Sequence, residues 1–318
     1  MKIAILSLNK NIHSTLRLVE AVESRGHEAV VINYKHCNLF IEKGKPSIHI
    51  KGEYITDVDI IIPRIAASYT DFGAAVIRHF EAMNVMSSLS SIALVRSRDK
   101  LRSFQHLAKS GIGIPKTAFA KSPMDKDIDI LIEEVGGAPV ILKLLESSLG
   151  KGVIKSESVN AAKSTIEAFS GIKKSIIIQE FIEEAGGADI RVFIVGGEIV
   201  GAMKRQGKSG DFRSNLHRGG SAEPVELSKK EQSITLEAAK LLSLDVAGVD
   251  LLRSKRGPLL IEVNSSPGLQ GIEKVTNMDI AGKIVSMLVA KVERKRAKRA
   301  KLKEKAKKKK LSVSNITE

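Results

Sequence analysis

The segment LLIEVNSSPGLQG, Leu259 to Gly271, carries an apolar strand into Glu262 and Asn264 and then breaks at Ser-Ser-Pro-Gly. Residues two apart on a strand share a face, so Glu262 and Asn264 project together. A hairpin with the preceding VAGVDLLRS is expected to turn at Lys255 to Gly257, because a three-residue loop favours glycine in its left-handed position. That loop sets Ser254 opposite Pro258 and Asp250 opposite Glu262. Two facing carboxylates repel unless a hard divalent cation lies between them, and oxygens of this kind suit Mg²⁺ or Mn²⁺, with phosphate oxygens completing the shell. The same pattern reads equally as a solvated hairpin face, with Asn264 capping backbone.

A phosphate site also needs cations and amide donors. Lys143 stands in the otherwise apolar PVILKLL, where an ammonium is destabilising unless it meets an anion or snorkels to the surface. Seven residues on, SSLGKG offers Gly150 and Gly152 to lay amides over phosphates, although it lacks the GK[ST] order of a P-loop. Lys100 is expected near a helix start. In IIIQEFIEEAGGADIR, Ile176 to Ile178 and Phe181 supply apolar walls for a base, Gln179 to Ile182 backbone donors and acceptors, and Asp189 an acceptor for ribose hydroxyls. Taken alone, that segment is also an ordinary buried strand ending in a loop.

The elements that must position these residues follow from periodicity. Residues 1–95 alternate strands (KIAILS, HEAVVIN, VDIIIPRI) with helices (NIHSTLRLVEAVESRG, with Leu16, Val19 and Val22 at helical spacing, and DFGAAVIRHFEAM), which predicts a parallel sheet. No GxGxxG follows the first strand, so a dinucleotide site is unsupported. Residues 96–112 predict a helix entered at Ser97 or Asp99 and closed by Gly111. Beyond it come strands at IPKTAFA, APVILKLL and KSIIIQEFI, and helices at MDKDIDILIEEVG and VNAAKSTIEAFSG. ADIRVFIVGGEIVGAMKRQ predicts a hairpin turning at Gly196–Gly197, DFRSNLHRGGSAEPV is irregular, SKKEQSITLEAAKLLSLD is a capped helix, and MDIAGKIVSMLVAKV is the closing helix.

The chain has 318 residues with 43% hydrophobic and 4% aromatic content, no Trp and a single Cys37. This excludes an internal disulfide and a cysteine zinc cluster, and fits a reducing compartment. Neither a signal-peptide core nor a membrane span is expected, so the cytoplasm is the expected location. Of the net charge of +15, most lies in residues 291–310, where thirteen Lys/Arg face two Glu. Such a tail is a solvated helix, a disordered arm, or a contact for RNA or ribosomes.

The order of motifs resembles the RimK family of ATP-grasp carboxylate–amine ligases: a strand lysine, a glycine-containing loop, QEFI, DIR, GDFRSNLHRGG, AGVDLL and IEVNSSPGL, preceded by MKIAILS, IPRI and RSRDKLR. The resemblance covers residues 1 to about 290. It implies an α/β fold in which an N-terminal parallel-sheet pre-ATP-grasp domain (1–95) precedes a two-subdomain ATP-grasp domain (96–290), with residues 291–318 a basic tail that is helical or disordered. It implies addition of L-glutamate by α-peptide bonds to the C-terminus of a small-subunit ribosomal protein, through an acyl phosphate, by a homo-oligomer without membrane contact. Lys100 and Lys143 then touch ATP phosphates, Glu180 and Phe181 the adenine, and Asp189 the ribose. Arg205, Arg213, Ser214 and Asn215 line the phosphate and acceptor side, with Arg205 and Lys143 catalytic. Asp250, Glu262 and Asn264 hold two Mg²⁺ or Mn²⁺, Glu262 bridging. Arg191 and Arg218 add positive charge, and His217 is a candidate base for the amine step. The loop reads ESSLGKG where the family commonly has EGTQGIG. The competing functions are the same chemistry on a free peptide or small metabolite, and a non-catalytic ribosome- or RNA-binding protein. The intact Asp250, Glu262 and Asn264 set argues against the latter.

Overall fold

The computed structural model describes residues 1–121, 125–145, 152–214, 216 and 219–314. The expected first unit forms around β1 (Lys2–Leu6), α1 (His13–Glu23), β2 (Glu28–Ile32), β3 (Asn38–Phe40), β4 (Ser47–Ile50), β5 (Glu53–Tyr54), β6 (Ile60–Pro63), α2 (Thr70–Ala82) and β7 (Met86–Ser87). Strands β2-β1-β6-β7 make a parallel sheet, and the small β3-β4-β5 meander, not foreseen in the sequence, lies outside it. Both faces of β1 are buried: Ile3 and Ile5 enter one core, Ala4 and Leu6 another. This is why the parallel strands read as continuous apolar runs. On α1 the buried stripe is Thr15, Leu18 and Val22 rather than the expected Leu16 face, and Leu16 is exposed.

Helices α3 (Ser91–Arg98) and α4 (Lys100–Lys109) replace the one helix expected over 96–112. Ser90 caps α3 by accepting from the Ala93 amide, and Asp99 caps α4 by accepting from the Arg102 amide. The second of the two candidate entry points is therefore the real one, and Ser97 lies inside α3. An acceptor at the N-cap stabilises a helix by about 1 kcal/mol, and Asp99 also ends the helix before it.

A separate small core lies under the next unit, β8 (Thr117–Ala120), α5 (Asp125–Glu134), β9 (Val140–Leu144), β10 (Val153–Ser156), α6 (Val159–Gly171) and β11 (Ile176–Glu180). Its sheet runs β10-β9-β11-β8, antiparallel throughout. Val140 and Leu142 face the helices, which leaves Ile141 and Lys143 on the opposite face.

The last unit holds β12 (Ala188–Val195), β13 (Glu198–Gln206), β14 (Ser221–Pro224), α7 (Lys229–Leu241), β15 (Val246–Ser254), β16 (Gly257–Asn264), α8 (Gln270–Thr276) and α9 (Ile280–Ser314). Its sheet order is β14-β13-β12-β15-β16, and β14 was read as irregular in the sequence. Its core is shared with the N-terminal sheet, so Ile190, Val192 and Val249 join Leu6, Ile61 and Phe80 in one cluster.

The turn between β15 and β16 is shorter than expected. Ser254 pairs with Gly257, which leaves a two-residue loop. An extra residue, Ile261, is inserted between the Leu251–Leu260 and Asp250–Glu262 pairs, so the bulge restores the expected Asp250–Glu262 pairing. Bulges re-aim side chains, and here Ile261 and Glu262, adjacent in sequence, both reach the same cleft.

Helix α9 crosses the expected domain end at 290 without a break. Val292 is buried, Lys291 pairs with Asp245 at 2.5 Å, and Arg296 pairs with Asp59. Residues 293–305 are exposed. No helix among the described residues is long and apolar enough to cross a membrane. Removing residues 291–318 is expected to lower the melting temperature by several degrees, because burial of a valine contributes about 1.5–3 kcal/mol. Removing only residues 300–318 should leave it within about one degree, measured by calorimetry.

Candidate active site

Between the small antiparallel sheet and the five-stranded sheet lies an open cleft. One wall comes from β9 and β11. Lys143 donates to Gln179 Oε1 at 2.6 Å, and Gln179 Nε2 donates to Thr117 Oγ1 at 2.9 Å. Burial pushes the Lys143 ammonium down to about 8, against an upward pull from Glu262, and Lys100 adds to the depression. Lys100, first residue of α4, donates to the Leu144 carbonyl at 3.2 Å, and burial lowers it too. Two lysines from different elements thus converge on one carboxylate, Glu262.

The opposite wall is a row of charges fixed by strand register. Asp189 on β12 is directly opposite Arg205 on β13, and Arg191 on β12 is opposite Asp250 on β15, which is opposite Glu262 on β16. Arg205 binds both Asp189 oxygens, at 2.6 and 2.5 Å, and reaches Asp250 at 3.0 Å. Arg191 grips Asp250 with two bonds of 2.7 and 2.6 Å. Burial alone would raise Asp250, but Arg191 and Arg205 outweigh it and hold it low. Asp189, deeper relative to its share of positive charge, is pushed up by burial against the pull of Arg205. Arg205 is itself raised, because Asp250 and Asp189 together exceed the burial penalty.

At the end of the cleft, β11 gives way to Phe181 and Ile182. Glu180 takes two bonds from Arg256, at 2.8 and 2.6 Å, and one from the Lys116 amide at 3.0 Å. Arg256 belongs to the β15–β16 turn, so this pair ties the two sheets together. The Lys155 ammonium sits 4.2 Å from the Phe181 ring centroid. Arg213 lines the cleft with its guanidinium on Asp211, and Ser214 is buried beside it, bonded to Asp189.

The sequence-predicted residues therefore assemble in large part. Lys100, Lys143, Glu180, Phe181, Asp189, Arg205, Arg213, Ser214, Asp250 and Glu262 all line one cleft. Asn264 lies two pairs beyond Asp250–Glu262, opposite Gly248. There a side chain on Gly248 would lie 2.8 Å from Pro267, so the turn after β16 closes tightly over it. Asn215, His217, Arg218 and residues 146–151 of the glycine-containing loop lie outside the described residues. Both Asp189 oxygens accept from Arg205, and an ionised carboxylate has about four acceptor positions, which leaves room for a ribose hydroxyl. The Glu180 carboxylate is held by Arg256. Lys155 and the buried Gln179 side chain went unremarked in the sequence, and strand alternation through Val153 and Ile177 is the signal that places them.

For a divalent cation the donors are two carboxylates and a carboxamide. Among the described residues no group of three or more His, Cys, Asp or Glu is arranged to hold a metal. Glu262 makes no hydrogen bond or ion pair with any described residue, so its carboxylate fits a hard cation. The buried Asn264 Nδ2 has no partner among the described residues; it is a donor, and only the Asn264 carbonyl oxygen could join Glu262 as a ligand. Asp250 would have to share its oxygens with Arg191 and Arg205, which an ionised carboxylate with about four acceptor positions can do.

Comparison with known proteins settles the family. The RimK pre-ATP-grasp domain matches residues 1–94, and the RimK-like ATP-grasp domain matches residues 97–288. The chain belongs to the RimK-like ATP-grasp family. A probable alpha-L-glutamate ligase of Aliivibrio fischeri is 55% identical over 94% of this chain and 98% of its own. One from Vibrio cholerae is 54% identical over the same shares. Among solved structures, the ATP-grasp ligase PsnB, complexed with a precursor variant, Mg and ADP, superposes with a TM-score of 0.72 at 20% identity, covering 92% of this chain and 98% of its own. The D-alanine–D-alanine ligase of Bacillus anthracis complexed with ATP gives 0.67 at 18%, covering 94% and 99%. This RimK-like chain is thus an ATP-dependent ligase joining a carboxylate to an amine, of a fold class that uses ATP with Mg²⁺.

Lys143 provides a test that needs no substrate. Its ammonium is depressed to about 8, against about 10.4 in an unfolded chain. Between those values the unfolded chain holds more protons, so stability rises with pH; below pH 8 the folded chain carries a charge away from water. Each pKa unit corresponds to about 1.4 kcal/mol, more than the roughly 1 kcal/mol of the Gln179 bond. Lys143→Met should therefore melt several degrees above the parent at pH 7, with the gap narrowing as pH rises from 8 towards 10.

Proposed function

We propose that the enzyme adds L-glutamate, through α-peptide bonds, to the C-terminus of a small-subunit ribosomal protein. The observation that carries this reading is the identity of over half of all aligned residues, across nearly the whole chain, with relatives named probable alpha-L-glutamate ligase. A basic helix on the surface favours an acceptor that lives on an anionic particle.

In this reading the Lys143 and Lys100 ammoniums bind ATP phosphates, and the anion restores the charge that burial disfavours. Phe181 with the β11 backbone at Glu180 borders the adenine, and Asp189 holds Arg205 in place beneath the phosphates. Arg213, Ser214 and Asn215 face the acceptor side. Asp250, Glu262 and Asn264 would hold two Mg²⁺ or Mn²⁺ ions, which neutralise phosphate charge and align the γ-phosphoryl group. The acceptor carboxylate attacks the γ-phosphorus and ADP leaves, giving an acyl phosphate. The glutamate amine then attacks the acyl carbon, phosphate departs and the amide remains. Arg205 and Lys143 stabilise the charge that builds on the transferred group.

Glu262→Gln should lower glutamate-dependent ADP release by 100-fold or more with an unchanged melting temperature. Turnover near that of the parent at saturating Mg²⁺ would remove Glu262 from the metal site. Incubation with labelled glutamate, ATP, Mg²⁺ and cell extract should label a small-subunit ribosomal protein. Label found only on free peptides or a small metabolite would select that class of acceptor instead. Loss of residues 300–318 should weaken binding to ribosomes at low salt, with the gap closing as salt rises, because each neutralised phosphate releases counterions. Equal binding by both forms at low salt would leave the helix without that role.

A further inference from the structure

Arg64 follows β6, at the edge of the N-terminal sheet nearest the β16 turn. The turn is fixed there by Ser266, whose hydroxyl donates to the Pro63 carbonyl at 3.3 Å. The Arg64 side chain is only partly open to solvent, and its guanidinium has no acceptor or ion-pair partner among the described residues. Beside it, Arg98 at the end of α3 donates Nη2 to the Ile65 carbonyl at 2.6 Å, while its buried Nε has no partner among the described residues. The buried Ser265 hydroxyl likewise has none among them. Burial, and then the charge of Arg98, depress Arg64 to about 10. Arg98 is pulled the other way by Glu262, which puts the cluster next to the catalytic cleft.

Every unsatisfied group among Arg64, Arg98 and Ser265 can donate. Two arginines held together with no carboxylate bonded to either among the described residues are destabilising, because each loses hydration and they repel. The sequence elsewhere pairs its buried arginines with care: Arg191 and Arg205 take Asp250 and Asp189. The guanidinium fork matches a carboxylate with two parallel bonds. We propose that Arg64, Arg98 and Ser265 form a carboxylate-binding site, at the junction of the N-terminal and ATP-grasp domains, that holds the carboxylate of an acidic amino acid which is not consumed in amide formation. It rests on the ligase reading above in assigning that carboxylate to the incoming glutamate. Recognition of the amino acid is thereby separated from ATP binding, which belongs to the other side of Glu262. A carboxylate on the acidic end of the acceptor has the same chemistry, and the test distinguishes the two.

Arg64→Met keeps an apolar stem and removes the unpaired charge, so without ligand it should melt at or above the parent temperature. Glutarate, a dicarboxylate that cannot react, is titrated against parent and variant with calorimetric detection, and the variant should bind it at least about tenfold more weakly. In turnover the KM for L-glutamate should rise at least about tenfold while ATP affinity stays within about twofold. A rise confined to the KM of a glutamate-terminated peptide acceptor assigns the site to the acceptor. Arg64→Lys, which keeps the charge without the fork, should raise the same KM severalfold and covers a failure of the first variant to fold. Glutarate binding and both KM values unchanged would overturn the site. If the parent shows no glutamate-dependent ADP release, yet glutarate still separates parent from variant, the carboxylate site stands and the glutamate reading fails.

Discussion

The catalytic face depends on Arg205. It is almost fully buried between two buried carboxylates, Asp189 and Asp250, and the second of these is also gripped by Arg191. Removing one partner from such a group leaves an uncompensated charge, at about 3–5 kcal/mol. The four residues therefore behave as a unit whose geometry is set by strand register, since Asp189–Arg205 and Arg191–Asp250 are direct cross-strand neighbours. A sheet is a rigid support, and the network turns that rigidity into fixed positions for charge. Glu262 stands at the end of the row, and it is the member without a partner among the described residues.

That arrangement explains the behaviour of the facing wall. Lys143, on a strand over the separate small core, and Lys100, at the start of α4, both feel the charge of Glu262, with their own charges disfavoured by burial. The cleft is thus assembled from one wall of paired arginines and carboxylates and one whose lysine charges burial disfavours. An anionic ligand between the walls improves the second without disturbing the first. The Arg256–Glu180 pair ties the tip of the β15–β16 hairpin to the strand that ends at the cleft, so the walls are joined at one end.

Much of the fold was legible because its signals are local. The apolar runs of KIAILS and VDIIIPRI, the Ser228–Glu231 capping box of α7 and the Gly196–Gly197 turn each specify an element without help from distant residues. Asp250 opposite Glu262 was also legible, although by a different route: a two-residue turn and a bulge at Ile261 give the pairing that a three-residue turn would have given. What escaped was set by tertiary contacts. Leu16 was taken as buried from spacing alone, but which stripe of α1 faces inward is decided by α9 and the sheet. The partners of Asp189 and Glu180 could not be read, because Arg205 and Arg256 lie 16 and 76 residues away. Short strands such as β10 and β14 carry too few residues for a period to register.

The closing helix shows how a chain can combine these regimes. From Ile280 to Val292 its apolar side packs on α1 and the central sheet, and two ion pairs, Lys291–Asp245 and Arg296–Asp59, fix it as burial ends. Beyond that point, twelve of the eighteen residues from 293 to 310 are Lys or Arg. Like charges at i, i+4 oppose helix formation, and an isolated segment would also face the nucleation penalty. The docked half removes that penalty by supplying the first turns. The remaining residues then extend as a charged rod about 30 Å long, with a field screened over roughly 8 Å at physiological salt. An anionic surface that met it would relieve the repulsion along its length, so binding and helix stability on this segment are favoured by the same charge.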